Sequence, residues 1–328
     1  EGLSLNLKSK EGYDIFKKLL NKADVVVENF RPDVKYKLGI DYETLSTVNP
    51  AIILASISGF GQQGPYKNRP GFDQVAQGMS GLMSITGEPG GGPMRVGIPL
   101  ADLSAGLFAA QGILLALYER MSSGKGQWVQ TSLLQSQIFM LDFQAARYVM
   151  NGEIPRQAGN NHPTSIPTGV FKTKDGFINI AASGETIWKK LAMAFGHQEW
   201  ISDPLFSTAL ARSKNRDKLG ENINECTIHK TASDWISLLN KYGVPCGPIY
   251  SIGEMFSDKQ VNSLDVSQSV INTDLEKIPV LTQPVSLSRT DSELSRAAPK
   301  IGEHTNQILA ELGYEDSDIK LLRDNKFV

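Results

Sequence analysis

Short apolar runs alternate with amphipathic stretches through the first part of the chain. Leu3, Leu5 and Leu7 alternate with polar neighbours, the two-residue period of a half-buried strand. Residues 10–21 carry apolar positions at helical spacing. Two runs, Ala23-Asp-Val-Val-Val-Glu-Asn29 and Ala51-Ile-Ile-Leu-Ala-Ser-Ile57, are nearly continuous in aliphatic residues and suit parallel strands buried on both faces. Between them Pro32 fits the first turn of a helix reaching Lys37, because proline lacks the N–H that such a turn leaves unpaired. Strand, helix, strand, helix, strand predicts an α/β fold with a parallel sheet.

Residues 58–100 are rich in Gly and Pro around one expected helix at 73–86. Long glycine-rich loops on an α/β sheet are where sites usually lie. The run at 90–92 is expected either to cover such a site or to be a plain solvent loop. Asp102 opens a long apolar helix to about residue 122, followed by a strand at 127–132 and a helix at 133–150. Residues 151–168 are polar and proline-containing, as a linker would be. A second α/β unit begins with a hairpin turning at Asp175-Gly176, and helices follow at 185–195, 217–226 and 231–241. Residues 257–300 are mixed and loop-rich, and a last helix is expected at 303–312.

The length of 328 residues suggests two domains, or one with a large insertion. A net charge of −2 gives no electrostatic footprint for nucleic acid or an acidic membrane. The two cysteines, Cys226 and Cys246, form no CxxC and have no histidine cluster beside them. A disulfide framework and a metal site are therefore not expected, and a reducing compartment is. The apolar stretch at 103–117 is interrupted by Ser, Gly and Gln and is expected to be a buried helix rather than a membrane span. Asp102, at the start of that helix, would face unpaired N–H groups and the positive end of the helix dipole. Those groups would hold it ionised and nucleophilic, although a plain N-cap has the same pattern.

Five stretches carry a family resemblance: Asp24-Val-Val-Val-Glu-Asn-Phe-Arg-Pro32, Ser58-Gly-Phe-Gly-Gln62, Ser80-Gly-Leu-Met-Ser-Ile-Thr-Gly87, Gly97-Ile-Pro-Leu-Ala-Asp102 with Gly106, and Gly302-Glu-His-Thr305. Gly243-Val-Pro-Cys-Gly-Pro248 is a further landmark. In this order they resemble the class III CoA-transferases (CaiB/BaiF type), over essentially the whole chain. The resemblance implies a large Rossmann-like domain from 1–150 and 281–328, linkers at 151–168 and 257–280, and a small α/β domain at 169–256. It also implies an interlocked homodimer. A further β-α-β unit is expected ahead of Glu1, where the sequence opens without an initiator methionine. The expected compartment is the cytoplasm, or the mitochondrial matrix in a eukaryote.

The resemblance makes Asp102 the nucleophile that takes up the acyl group and then CoA. Asp73 stands where formyl-CoA transferases have a glutamate, and is expected either to assist transfer or to cap the helix after it. Phe72 stands where the related α-methylacyl-CoA racemases carry a histidine base. For CoA the resemblance points to Asn29, Phe30, Arg31 and Lys37, with Arg69 and Arg95 as further partners for phosphate or carboxylate. CoA and acyl-CoA are then substrates, with no tightly bound cofactor and no nucleic-acid or membrane partner. Asn160 and His162 are expected to meet the acceptor acid, or to form only a linker turn. The stretch 159–169 lacks the tetraglycine loop of formyl-CoA transferases, which argues against formate or oxalate and for succinyl-CoA with a dicarboxylic acceptor. A racemase or isomerase, and a non-catalytic acyl-CoA-binding relative, are the alternatives.

Overall fold

The computed structural model describes residues 1–272, 274, 276–290 and 294–328. Thr273 and Leu275, inside the expected 257–280 linker, and residues 291–293 lie outside the described residues. The chain runs α1 (Lys10–Leu20), β1 (Val25–Glu28), α2 (Pro32–Leu38), α3 (Tyr42–Val48), β2 (Ile53–Ser58), α4 (Asp73–Met79), α5 (Leu82–Ile85), α6 (Leu100–Ser123), β3 (Trp128–Ser132), α7 (Leu133–Phe139) and α8 (Phe143–Asn151). There follow β4 (Thr168–Thr173), β5 (Gly176–Ala181), α9 (Glu185–Phe195), α10 (Ala209–Lys214), α11 (Arg216–Thr227), α12 (Ala232–Tyr242), β6 (Cys246–Pro248) and α13 (Ile252–Ser257). The chain ends with α14 (Lys259–Ser263), β7 (Ser267–Ile271), β8 (Lys277–Leu281), α15 (Thr305–Glu311) and α16 (Asp316–Asp324). The fold is mixed α/β, as the pattern predicts.

Contacts divide the chain into two units: Glu1–Ser80 with Gly97–Ala145 and Lys259–Val328, and Gly81–Val96 with Ala146–Asp258. In the first, β1, β2 and β3 form a parallel sheet with β2 in the middle, Val25 beside Ile53 and Leu54 beside Trp128. Ile53, Leu54 and Ala55 of β2 are fully buried, which is why the run is aliphatic on both faces. Helix α6 packs on β2 and β3, with Ala101, Ala105, Ala109 and Ala116 buried. In the second unit, β4, β5 and β6 form an antiparallel sheet, with the hairpin turn at Lys174-Asp175. Its core gathers Ile178 and Ile180 with Trp188, Leu191, Leu219, Ile223, Trp235 and Leu239.

Four sequence expectations are corrected. Residues 1–6 form no strand: Asn6 N–H donates to Phe327 O at 2.9 Å, His304 N–H to Gly2 O at 2.9 Å, and Leu5 packs on the core of Ile15, Leu309, Ile319 and Leu322. The helix expected at 73–86 breaks into α4 and α5 at Gly81, whose φ of 92° lies in the left-handed region that glycine tolerates. The helix expected at 133–150 breaks into α7 and α8, with Asp142 at a φ of 48° between them. Finally, α6 is long and apolar enough to cross a membrane by length and composition, and most of it is not buried. Its outer face exposes Leu103, Leu107, Leu114, Leu115, Tyr118 and Met121.

Candidate active site

Parallel strands deliver their C-terminal ends, and the turns that follow them, to one edge of a sheet. Here Asn29, Phe30 and Arg31 follow β1, Ser58 ends β2 and Gly59 follows it, and Leu133 follows β3. With Lys67, Arg69, Pro70, Gly71 and Phe72, and with Asp102 and Gly106 of α6, they line a cavity of about 590 Å³. The turn after β1 is held from below: Phe30 N–H donates to Glu28 Oε2 at 2.8 Å. The turn after β2 is closed by Gly61 N–H donating to Ser58 Oγ at 3.1 Å. Gly59 and Gly71 cross closely, and a Cβ on Gly59 would lie 2.9 Å from Gly71 Cα. Both positions therefore exclude side chains where the loop folds back over the sheet edge.

Among the described residues, three cations line the cavity: Arg31, Lys67 and Arg69. Arg69 lies over the Tyr66 ring at 4.4 Å and 5.7 Å from the Phe60 centroid, and those rings meet edge to face. Stacking fixes the plane of the guanidinium and leaves its N–H fork available for an anion. Phe72, exposed at 78%, is a wall of the cavity rather than core, and its ring has no group that accepts a proton.

Asp102 sits in the first turn of α6 but is not its cap. The helix starts at Leu100 with Pro99 at the N-cap. The Ala101 N–H is taken by Asp73 Oδ1 at 2.9 Å, and Asp73 Oδ2 accepts from Gln77 Nε2 at 2.8 Å, which also donates to Ile98 O at 3.1 Å. Asp73, buried at the start of α4, thus caps α6 rather than the helix it begins. The Asp102 carboxylate is exposed and accepts no hydrogen bond among the described residues. Partial desolvation, and then the nearby Asp73 carboxylate, push its pKa up from the ordinary aspartate value. The sequence expectation had the amides of the helix start holding it ionised, and here those amides do not act on it alone. Asp73 has taken one of those amides and brings a like charge with it.

Residues 1–305 match the profile of CoA-transferase family III. The chain belongs to this family. It is 38% identical over 307 residues to a succinate–glutarate CoA-transferase of Agrobacterium fabrum, covering 94% of this chain and 77% of that one. It is 35% identical over 305 residues to an acetyl-CoA:oxalate CoA-transferase of Acetobacter aceti, covering 92% and 77%. A CaiB/BaiF family protein from Brucella suis superposes with a TM-score of 0.81 at 35% identity, over 94% of this chain and 81% of that one. This family III CoA-transferase is an enzyme that moves CoA between an acyl-CoA and an acid, so CoA thioesters are its substrates.

Of the residues singled out from sequence in this CoA-transferase, Asn29, Phe30, Arg31, Arg69 and Asp102 line one cavity, and Asp73 lies directly behind Asp102's helix turn. Lys37 is not among the lining residues and pairs with Asp33 at 2.7 Å. Arg95, Asn160 and His162 belong to the second unit and are not among the lining residues either. His162 Nδ1 accepts from Ser165 N–H at 2.9 Å and Thr164 N–H at 3.2 Å, so the ring organises a turn. Within the same unit the glycine run at 90–92 is tied down, with Gln157 Nε2 donating to Thr86 O and Gly92 O, both at 2.6 Å. Lys67 was not singled out from sequence. Its only signal is its place ahead of Arg69 in the glycine- and proline-rich loop. Among the described residues no group of three or more His, Cys, Asp or Glu side chains is placed to hold a metal ion.

Proposed function

We propose that this CoA-transferase works through a covalent intermediate on Asp102, with succinyl-CoA as donor and a dicarboxylic acid as acceptor. The observation that carries the mechanism is an unpaired, raised-pKa carboxylate in the same cavity as Arg31, Lys67 and Arg69. A carboxylate made more basic by its surroundings is a better nucleophile once ionised. Its oxygen attacks the thioester carbonyl, forming a mixed anhydride as the C–S bond breaks and CoA thiolate leaves. The thiolate attacks the aspartyl carbonyl, forms an aspartyl-CoA thioester and releases the donor acid. The acceptor carboxylate then attacks that thioester and expels the thiolate. The thiolate takes the acceptor acyl group from the new anhydride, which frees Asp102. Water and net proton transfer are not needed at any step. The three cations suit the phosphates of CoA and the carboxylates of both acids.

The substrate pair rests on the relatives, whose names carry succinate with glutarate in one case and oxalate in another. Both acceptors named there are dicarboxylic acids. The 159–169 stretch favours the larger, without the tetraglycine loop. Phe72, which offers no base on the cavity wall, supports transfer over racemisation. We also infer a homodimer, supported by the exposed aliphatic face of α6. The substrate claim is tested by incubating the enzyme with succinyl-CoA and glutarate, oxalate or formate, and weighing the acyl-CoA products by mass spectrometry. Glutaryl-CoA should dominate. Formyl-CoA or oxalyl-CoA formed efficiently without glutaryl-CoA would show the specificity assignment to be wrong.

A further inference from the structure

Lys35 takes no part in the transfer chemistry, yet it is among the most deeply buried side chains of the first unit, with 0% of it exposed. Burying an ammonium without partners is costly, because desolvation penalises the charge heavily. This one is caged. Its Nζ lies 3.4 Å from Glu28 Oε1 and donates a hydrogen bond to Gln62 Oε1. The rings of Trp128 and Tyr36 stand 5.2 and 5.4 Å from it. Trp128 is fixed in turn by Nε1–H donating to Ser56 Oγ at 2.8 Å. Among the described residues Glu28 Oε1 has no hydrogen-bond partner of its own, and the Lys35 ammonium is the charge that lies beside it.

Both polar contacts of Lys35 end on segments that shape the cavity. Glu28 uses its other oxygen to hold Phe30 N–H at 2.8 Å, which sets the turn carrying Asn29, Phe30 and Arg31. Gln62 belongs to the loop after β2, with Nε2 3.4 Å from Ser58 Oγ, the same oxygen that receives Gly61 N–H. An apolar side chain of similar size would fill the space without the desolvation cost. It would not join Glu28 to Gln62.

We propose that Lys35 is a positioning residue, a buried ammonium that ties the turn after β1 to the loop after β2 and so sets the opening that receives the acyl-CoA. It acts through Glu28 and Gln62 and touches no substrate. The proposal rests on the acyl-CoA assignment of the cavity.

Two variants test it. Gln62→Ala cuts the tie at a partly buried residue without stranding a charge. Lys35→Met combined with Glu28→Gln removes both charges together, and the glutamine oxygen can still hold Phe30 N–H. Each should raise KM for the acyl-CoA about tenfold, the effect of losing roughly one well-made polar contact, while kcat stays within about threefold. Hydrogen exchange at the Phe30 and Gly61 amides should quicken, and exchange in the middle of β2 should not. Folded variants with unchanged KM and unchanged exchange at those amides would overturn the proposal. If the double variant does not fold, Gln62→Ala decides alone. Quickened exchange in the variants of an enzyme whose wild type neither binds nor transfers CoA would support the tie and sink the acyl-CoA assignment.

Discussion

Replacing Asp73 separates its two effects on Asp102. Asp73 is buried, and its carboxylate accepts from Ala101 N–H at 2.9 Å and Gln77 Nε2 at 2.8 Å. Hydrogen bonds to a charged acceptor contribute about 1.5–3 kcal/mol each. Asp73→Asn keeps the shape but puts an NH₂ where an oxygen was. An amide can offer its one oxygen to only one of the two donors, and flipping Gln77 would give up its bond to Ile98 O. The loss should therefore be close to one such bond, about 1.5–3 kcal/mol of unfolding free energy. Asp73→Ala removes the acceptor of both bonds and should cost more than Asp73→Asn. The second effect is electrostatic. The Asp73 carboxylate is one cause of the raised Asp102 pKa, so a neutral residue there should move the acid limb of the acylation rate to lower pH. Urea unfolding measures the first effect, and single-turnover acylation followed against pH measures the second. An Asp73→Asn enzyme as stable as wild type, with its acid limb unmoved, would refute the pairing on which both arguments stand.

Three further outcomes are expected. Asp102 has a folded-state pKa raised above its ordinary 3.8, so ionising it costs folding free energy, and wild type loses stability as pH rises from below 3.8 through the folded value. Asp102→Asn should therefore unfold at higher urea than wild type at pH 7, with the gap closing below the ordinary value; a gap that persists in acid would mean another cause. Gly59→Ala would force a Cβ to within 2.9 Å of Gly71 Cα, and should cost about 1–3 kcal/mol through overpacking together with transfer activity; a stable, active Gly59→Ala enzyme would show the crossing to be loose. With a 2-methylacyl-CoA in heavy water, no rapid deuterium uptake at the α-carbon is expected, since Phe72 supplies no base, and fast uptake read by mass spectrometry would revive the racemase alternative.

The parallel sheet was legible because β2 is buried on both faces and leaves an aliphatic run; β1 carries the same kind of run but is only partly buried, with Val27 exposed, so its pattern overstated its burial. Leu3, Leu5 and Leu7 carried an equally regular pattern, yet the backbone there pairs with residues near the C-terminus, a long-range choice that a local period does not encode. The break at Gly81 had a glycine to mark it. The break at Asp142 interrupts residues whose spacing suits one continuous helix. Within the cavity, Asp102 and the residues after β1 were found through their motifs. Asp73 capping a helix other than its own depends on the approach of α4 to α6. Lys35 and Lys67 went unnoticed for one reason: a lysine in sequence is by default a solvated surface charge, and only the packed structure shows which is buried and which lines a cavity.

The most direct test of the account is to find where the acyl group goes. The enzyme is mixed with succinyl-CoA in the absence of acceptor, quenched with hydroxylamine, digested and analysed by mass spectrometry, with Asp102→Ala treated in parallel. The account predicts an aspartyl hydroxamate at Asp102 in wild type, none in the variant, and no turnover by a folded Asp102→Ala protein. A hydroxamate on another residue, or transfer by Asp102→Ala at the wild-type rate, would contradict it.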